Sequence, residues 1–259
     1  MITSTSSSQV KHVVSLQKKA KTRKECREFV VEGFKMVAEA PLDRIVKIYA
    51  SESFSTENHT FLERFSPAKV ETVSDHVFLQ MSDTKTPQGV LAVIQMAAYT
   101  LSDMLGKLPL LLAVENLQDP GNLGTILRMG EGAGITGVIM SSNTVDIYNP
   151  KTIRSTMGSI YRVPFIYVSD FIETLSELKE KGVCLYAAHL AGKNEYTKED
   201  YRRAAAFLIG NEANGLTDAA SKAADVLVKI PMEGQVESLN AAIACTILTF
   251  EAVRQRRIS

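Results

Sequence analysis

The chain is short of cysteine, has no long apolar run and carries no net charge, and each shortage excludes a class of protein. Cys26, Cys184 and Cys245 are odd in number and far apart. That spacing fits neither a disulfide framework nor a metal site, so ordinary thiols and no bound metal are expected. The longest apolar stretches, such as 108–114 with Pro109 inside it, fall far short of a membrane span. The start lacks the basic-then-apolar order of a secretory signal, which makes the cytoplasm the expected location. Lysine plus arginine and aspartate plus glutamate each number 29, and such a balance argues against a protein that coats nucleic acid. Internal repeats and a phosphate-loop lysine motif are also missing.

What is present is a chain of 259 residues with 45% hydrophobic and 22% charged residues, enough for one large domain or two modest ones. Its charge is uneven. Lys11, Lys18, Lys19, Lys21, Arg23, Lys24 and Arg27 face a single acid, Glu25, over 11–27. A local patch of this kind can contact phosphates although the whole molecule is neutral, while a solvated helix face is the plainer alternative.

Hydrophobic periodicity divides the chain in two. Residues 10–19 suggest a short helix, 29–33, 45–50, 70–73 and 89–96 suggest strands, and 59–65 and 75–81 suggest helices, the last capped by Ser74. This reads as a small α/β domain over 1–97, followed by a linker over 98–107. From 108 to 259 strands at 110–114, 137–141, 165–168, 183–188, 204–210 and 226–230 alternate with helices at 122–132, 150–159, 171–181, 218–224 and 239–257. Such alternation implies a mostly parallel sheet. Asn149 and Ser238 stand where helix N-caps are expected, as does Asn122.

Three polar segments follow apolar strands of this second domain: Asn116-Leu-Gln-Asp-Pro-Gly-Asn122-Leu-Gly-Thr-Ile-Leu-Arg128, Leu208-Ile-Gly-Asn-Glu212-Ala-Asn-Gly215-Leu216 and Ile230-Pro-Met-Glu-Gly-Gln-Val-Glu-Ser238-Leu-Asn240. Loops at strand ends are where an α/β sheet keeps its binding site. Gly130-Glu-Gly132-Ala-Gly134 hints at a dinucleotide loop, but its glycines come late in a helix rather than between strand and helix. A helix C-terminus and close packing explain them better, which sets aside a nicotinamide-dependent dehydrogenase.

In order, these segments resemble the three signature motifs of the SpoU-type (TrmH-like) SPOUT methyltransferases. The resemblance continues through Asn149-Pro-Lys151-Thr-Ile-Arg154-Ser155-Thr-Met-Gly158 and Arg162-Val-Pro164, and 9–33 is similar to the N-terminal substrate-binding domain of members directed at ribosomal RNA. It implies a C-terminal α/β knot, a deep trefoil, preceded by a small α/β RNA-binding domain. It implies an S-adenosylmethionine-dependent enzyme that methylates a ribose 2′-hydroxyl of RNA, and a homodimer built on the catalytic domain. Arg128, Asn122, Glu212, Ser238 and Asn240 would carry catalysis. Ala188, His189, Leu208, Gly210, Asn211, Ile230, Met232, Ser238 and Leu239 would hold the cofactor. Lys11, Lys18, Lys19, Lys21, Arg23 and Arg154 would meet RNA. At Gly130 and Ala133 many relatives carry alanine and an aromatic, a departure that touches helix packing and not chemistry.

Methyl transfer from a sulfonium is an in-line displacement, so the protein has to align the hydroxyl and relieve its proton. No histidine lies in the three motifs. A guanidinium is a poor base, so Arg128 is expected to clamp the target phosphate and stabilise the developing alkoxide, with Glu212 orienting it. A transfer-RNA enzyme is the nearest alternative, disfavoured by the separate N-terminal domain. A noncatalytic RNA-binding assembly factor is disfavoured by the presence of Arg128, Glu212 and Asn240.

Overall fold

Strands written almost wholly in leucine, valine, isoleucine and alanine have no polar face to offer water, so they must be covered on both sides. A computed structural model describes residues 1–258 and shows two compact units, Met1–Ala98 with Asp146–Tyr161 and Tyr99–Val145 with Arg162–Ser259.

The first unit opens with α1 (Ser8–Lys18) and α2 (Ala20–Cys26), then β1 (Glu28–Glu32), α3 (Phe34–Ala38), β2 (Ile45–Ser51), α4 (Glu52–Glu57), α5 (His59–Leu62), β3 (Val70–Val73), α6 (Asp75–Met81) and β4 (Val90–Gln95). Its sheet has the order β1-β4-β2-β3, with β4 antiparallel to both neighbours and β3 parallel to β2. Val10, Val13 and Leu16 recur every three residues along α1 and are buried with Val77, Phe78 and Met81 of α6 against Val30, Tyr49, Leu91 and Val93 of the sheet. Ser74 occupies the cap position of α6, but its hydroxyl lies 3.1 Å from His76 Nδ1 instead of accepting a backbone N–H.

The second unit contains β5 (Leu110–Val114), α7 (Pro120–Ala133) and β6 (Gly137–Ser141). The chain then forms α8 (Pro150–Thr156), which packs with the first unit. It returns as β7 (Phe165–Val168), α9 (Phe171–Glu180), β8 (Cys184–Ala188), β9 (Asn194–Glu195), β10 (Ala205–Ile209), α10 (Asp218–Ala223), β11 (Val226–Lys229) and α11 (Ala241–Ile258). Every pairing in its seven-stranded sheet is parallel, in the order β7-β6-β5-β10-β8-β11-β9. The expected α/β fold with a mostly parallel sheet is therefore present. Side chains alternate across it, so Leu111, Ala113, Leu185, Ala187, Ala206 and Leu208 meet Leu175, Leu178 and Ala220 of α9 and α10. On the opposite face α11 packs against α7 and β10, burying Ala242, Cys245, Leu248, Thr249 and Ala252.

Several local readings change. Helix α7 starts at Pro120 with Asp119 as its cap, accepting from Asn122 N–H at 2.8 Å; proline at the first helical position leaves Asn122 inside the first turn. The helix over 150–159 stops at Thr156, because Met157 turns left-handed (φ 51°). Asn149 does cap it, accepting from Lys151 N–H. The glycines of 130–134 serve the helix end: Gly134 is its left-handed C-cap (φ 73°), and a Cβ on Gly130 would lie 2.3 Å from Ile135 Cδ1. The stretch 99–107 packs into the second unit, where Met104 is fully buried.

Candidate active site

Parallel strands β5, β8, β10 and β11 deliver their C-terminal ends to one edge of the sheet, and the three polar motifs are the loops that leave β5, β10 and β11 there. A cleft of about 330 Å³ lies among these loops. Ala188, His189, Gly210, Asn211, Ile230, Met232, Ser238 and Leu239 line it, as does Glu212. Leu208 does not: the alternation of β10 sends its side chain into the core under α9 and α10, where it is fully buried.

The motif loops are tied to one another by side chains. Glu212 accepts from the backbone N–H of Gln118 (3.1 Å) and Asp119 (2.9 Å), and from Asn122 Nδ2 (3.0 Å). Asn122 Oδ1 in turn accepts from Asn240 Nδ2 at 2.9 Å. One run of bonds thus joins the first, second and third motifs. Partial burial pushes the Glu212 carboxyl up, but the bonds from Asn122, Asp119 and Gln118 outweigh it and hold the group below the usual carboxylate range. Its position just before the first turn of α7 also suits a negative charge. Glu212 makes no bond to Arg128, contrary to the expected orienting role. Its oxygens are engaged by the loop that precedes α7 instead.

Asn240 also starts the last helix. Its Oδ1 accepts from Ala242 N–H (2.9 Å) and Ile243 N–H (3.3 Å), so the cap expected of Ser238 belongs to Asn240. Ser238 is exposed on the cleft wall. Arg128 lies two turns into α7, exposed, with no hydrogen bond or ion pair among the described residues. His189 Nδ1 accepts from Ala191 N–H at 3.1 Å, which fixes the turn after β8.

Sequence reasoning passed over two residues that hold this edge together. Asn116 adopts a left-handed conformation (φ 55°), which asparagine tolerates better than most residues. Its N–H donates to Ser141 Oγ, its Oδ1 accepts from the same hydroxyl, and its carbonyl accepts from Asn211 Nδ2 at 2.8 Å. Glu115 is buried and accepts from both the N–H and the hydroxyl of Thr217, at 2.8 Å each, anchoring the far end of the loop after β10. The only signal for the pair was their position, two polar residues closing a wholly apolar strand.

In the first unit the expected phosphate contacts separate. Lys11, Lys18, Lys19 and Lys21 are exposed, Lys21 lying 3.8 Å from Glu25. Arg23 is not available: it is 4% exposed, with Nε and Nη2 on Asp146 Oδ2 (3.0 and 2.5 Å) and Nη1 on the carbonyls of Leu16 and Gln17. A buried guanidinium needs its donors satisfied, and a carboxylate distant in sequence does it. Arg154 is half-exposed and paired with Asp83 at 2.6 Å. Among the described residues no group of histidine, cysteine, aspartate and glutamate is arranged to hold a metal, and no helix is long and apolar enough to cross a membrane.

Residues 109–250 match the profile of the SpoU rRNA Methylase family, and 7–92 that of the MRM3-like substrate binding domain. The chain is 31% identical over 242 residues to the 23S rRNA (guanosine(2553)-2′-O)-methyltransferase RlmP of Bacillus subtilis, covering 90% of this chain and 92% of that protein. The SpoU methyltransferase AviRb from Streptomyces viridochromogenes, solved in complex with the cofactor AdoMet, superposes with a TM-score of 0.87 at 26% identity, covering 98% of this chain and 100% of that one. The AdoMet-bound rRNA methyltransferase from Sinorhizobium meliloti gives a TM-score of 0.87 at 31% identity, over 98% of this chain and 97% of its own.

Proposed function

The chain belongs to the SpoU rRNA methylase family, and from that premise we propose that it transfers the methyl group of S-adenosylmethionine to a ribose 2′-hydroxyl of ribosomal RNA. The observation that carries this reading is the joining of three sequence-distant motif loops by Glu212, Asn122 and Asn240 beside one cleft, with Arg128, two turns into α7, exposed and without a partner among the described residues. The cleft mixes apolar walls (Ile209, Ile230, Met232, Leu239) with loop backbone and the Asn211 side chain, chemistry that fits a nucleoside bearing an amino-acid tail. S-adenosylmethionine supplies an electrophilic methyl group on a sulfonium centre.

The residues of this chain do the rest. Glu212, by accepting two donors ahead of α7 and one from its first turn, holds the start of that helix and hence the base from which Arg128 projects. Arg128 clamps the phosphate beside the target ribose and stabilises negative charge on the hydroxyl oxygen as its proton passes to water. Ser238 and Asn211 face the cleft and orient polar groups there. Asn240 and Asn122 keep the third motif against the first.

Residues 1–97 bind RNA, through Lys11, Lys18, Lys19 and Lys21, while 108–259 carry the methyltransferase. The loops 187–190, 208–210 and 230–239 belong to a trefoil knot. Support for it comes from β10 lying between β5 and β8 while β11 lies outside β8, and from Arg256 near the end of α11 donating to the carbonyls of Tyr201 and Arg203 in the connection from β8 to β10. A homodimer forms on the catalytic domain. Ile243 and Phe250, seven residues apart on α11, are 53% and 44% exposed and supply an apolar face for it. The protein works in the cytoplasm, a reading supported by relatives named as 23S rRNA methyltransferases. Mapping 2′-O-methyl groups in ribosomal RNA from cells with and without the gene tests the assignment, and identical maps would sink it.

A further inference from the structure

We propose that Phe34, with Gln88 beside it and Lys85 three residues before Gln88 in the same loop, is a stacking platform for an unpaired base of the RNA substrate. This rests on the assignment to ribosomal RNA and names the place in the first unit that reads it. Phe34 is 43% exposed, yet it does not hang free. One side of its ring lies on Phe61, with centroids 4.3 Å apart and planes 33° apart, and Phe61 is edge-on to Phe54 and Phe65. Phe54, Phe61 and Phe65 are all buried. They make a firm floor under a ring that is open on its outer side.

The rim of this ring is equally firm. Phe34 N–H donates to Gln88 Oε1 at 2.7 Å, and Gly33 N–H to the carbonyl of Val90 at 2.9 Å. Gly33 has φ +99°, and a Cβ there would lie 2.8 Å from Gln88 Oε1. Only glycine allows the approach without strain. The neighbouring loop hangs on one carboxylate: Glu32 accepts from Ser82 Oγ (2.6 Å), Thr84 Oγ1 (2.6 Å) and Asp83 N–H (3.1 Å). A surface loop held this tightly is already organised for a ligand and has little freedom left to lose on binding it.

The free chemistry at the rim suits a nucleotide. Gln88 Nε2 has no partner among the described residues, so it can donate to a base edge. Lys85 is exposed and, like Arg64, has no ion-pair partner among the described residues; the Arg64 guanidinium sits 5.6 Å from the Phe61 centroid. An open aromatic face, an amide and cations together are how proteins hold single-stranded RNA. Aliphatic side chains would cap the phenylalanine cluster as well as Phe34 does, and this separates a platform from a lid.

The test uses the full chain and ribosomal RNA extracted from cells lacking the gene, with filter binding for RNA affinity and tritiated S-adenosylmethionine for turnover. Phe34→Leu keeps the apolar cap and removes the π-face, Phe34→Tyr keeps both, and Gln88→Glu keeps the acceptor for Phe34 N–H while removing the donor. The Leu variant is expected to raise the Kd and KM for RNA about tenfold, with the Tyr variant within about twofold of the parent and the melting temperature of both unchanged. Gln88→Glu should weaken RNA binding to a lesser degree. Cofactor affinity should stay at the parent value in all three. Equal RNA affinity in the Leu variant and the parent overturns the platform, as does equal loss in the Leu and Tyr variants. A parent protein that binds the RNA in a Phe34-dependent way but transfers no methyl overturns the methyltransferase assignment and leaves the platform standing.

Discussion

Arg128 in the second unit, expected to carry catalysis and clamp the target phosphate, and Arg23 in the first, expected to meet RNA, are treated in opposite ways by the structure. Around Arg128 the polar residues bond to each other and to loop backbone: Glu212 to Gln118, Asp119 and Asn122, and Asn122 to Asn240. The guanidinium has no partner among the described residues. Around Arg23 all three guanidinium nitrogens are engaged, by Asp146, Leu16 and Gln17, and the residue is 4% exposed. A cation is available to a ligand when neighbouring acids are already committed elsewhere. It is structural when an acid is left facing it.

The largest expected break in this contrast is Arg128→Ala. It should lower methyl transfer by about 10³-fold or more while changing stability by less than about 0.5 kcal/mol, since the side chain is exposed and has no partner among the described residues. Single-turnover assays and a thermal melt check both halves. A comparable loss of stability would show that Arg128 is structural after all. Arg23→Met should do the reverse, destabilising the first unit by about 3 kcal/mol because Asp146 loses its partner, with little direct effect on cofactor binding. A variant as stable as the parent would undo the comparison.

Glu212 sharpens the contrast through pH. Its carboxyl is held below the usual range, so the stabilisation it gives the loops is present above the unfolded pKa of about 4.3 and is lost as pH falls through the lower folded value. Cofactor affinity is therefore expected to be level from neutral pH through the usual carboxylate range and to fall only as pH drops through the lower folded value. In Glu212→Gln that acid limb should disappear. Calorimetric titrations across the range decide, and an acid limb retained in the Gln variant counts against the carboxylate.

Exchanging Lys18, Lys19 and Lys21 for glutamine should leave stability unchanged and reduce the slope of log affinity against log salt by about 2, at roughly 0.7 per contact with single-stranded RNA. An unaltered slope would return the run to a solvated helix face. The smallest effect expected is in Arg128→Lys. As a clamp, it should retain part of the activity and the pH dependence of the parent; as a base, it should shift the rising limb of the rate to lower pH, since lysine titrates near about 10.4.

Much of the catalytic half was legible because its signals are local. Apolar runs ending in polar clusters predicted β5, β10 and β11 and put their loops at strand ends, and alternation of strand and helix predicted the parallel sheet that is present. The caps were less legible. Asp119 and Asn240 took the places expected of Asn122 and Ser238, because competing polar residues stood within a few positions of one another and only backbone direction chooses among them. Leu208 was placed in the cofactor site by its neighbours in the motif, and the period of two in β10 sent it inward.

Composition, periodicity and motif order by themselves determined the α/β class, the family and the residue types brought to the site, since these depend on each residue's own chemistry and its near neighbours. Which of those residues remain free to act was decided by tertiary structure alone. Asp146 reaches Arg23 from 123 residues away, and Glu212 reaches Asn122 from 90. No local pattern encodes such meetings, because a charge is neutralised by whatever the fold places against it, however far along the chain that partner lies.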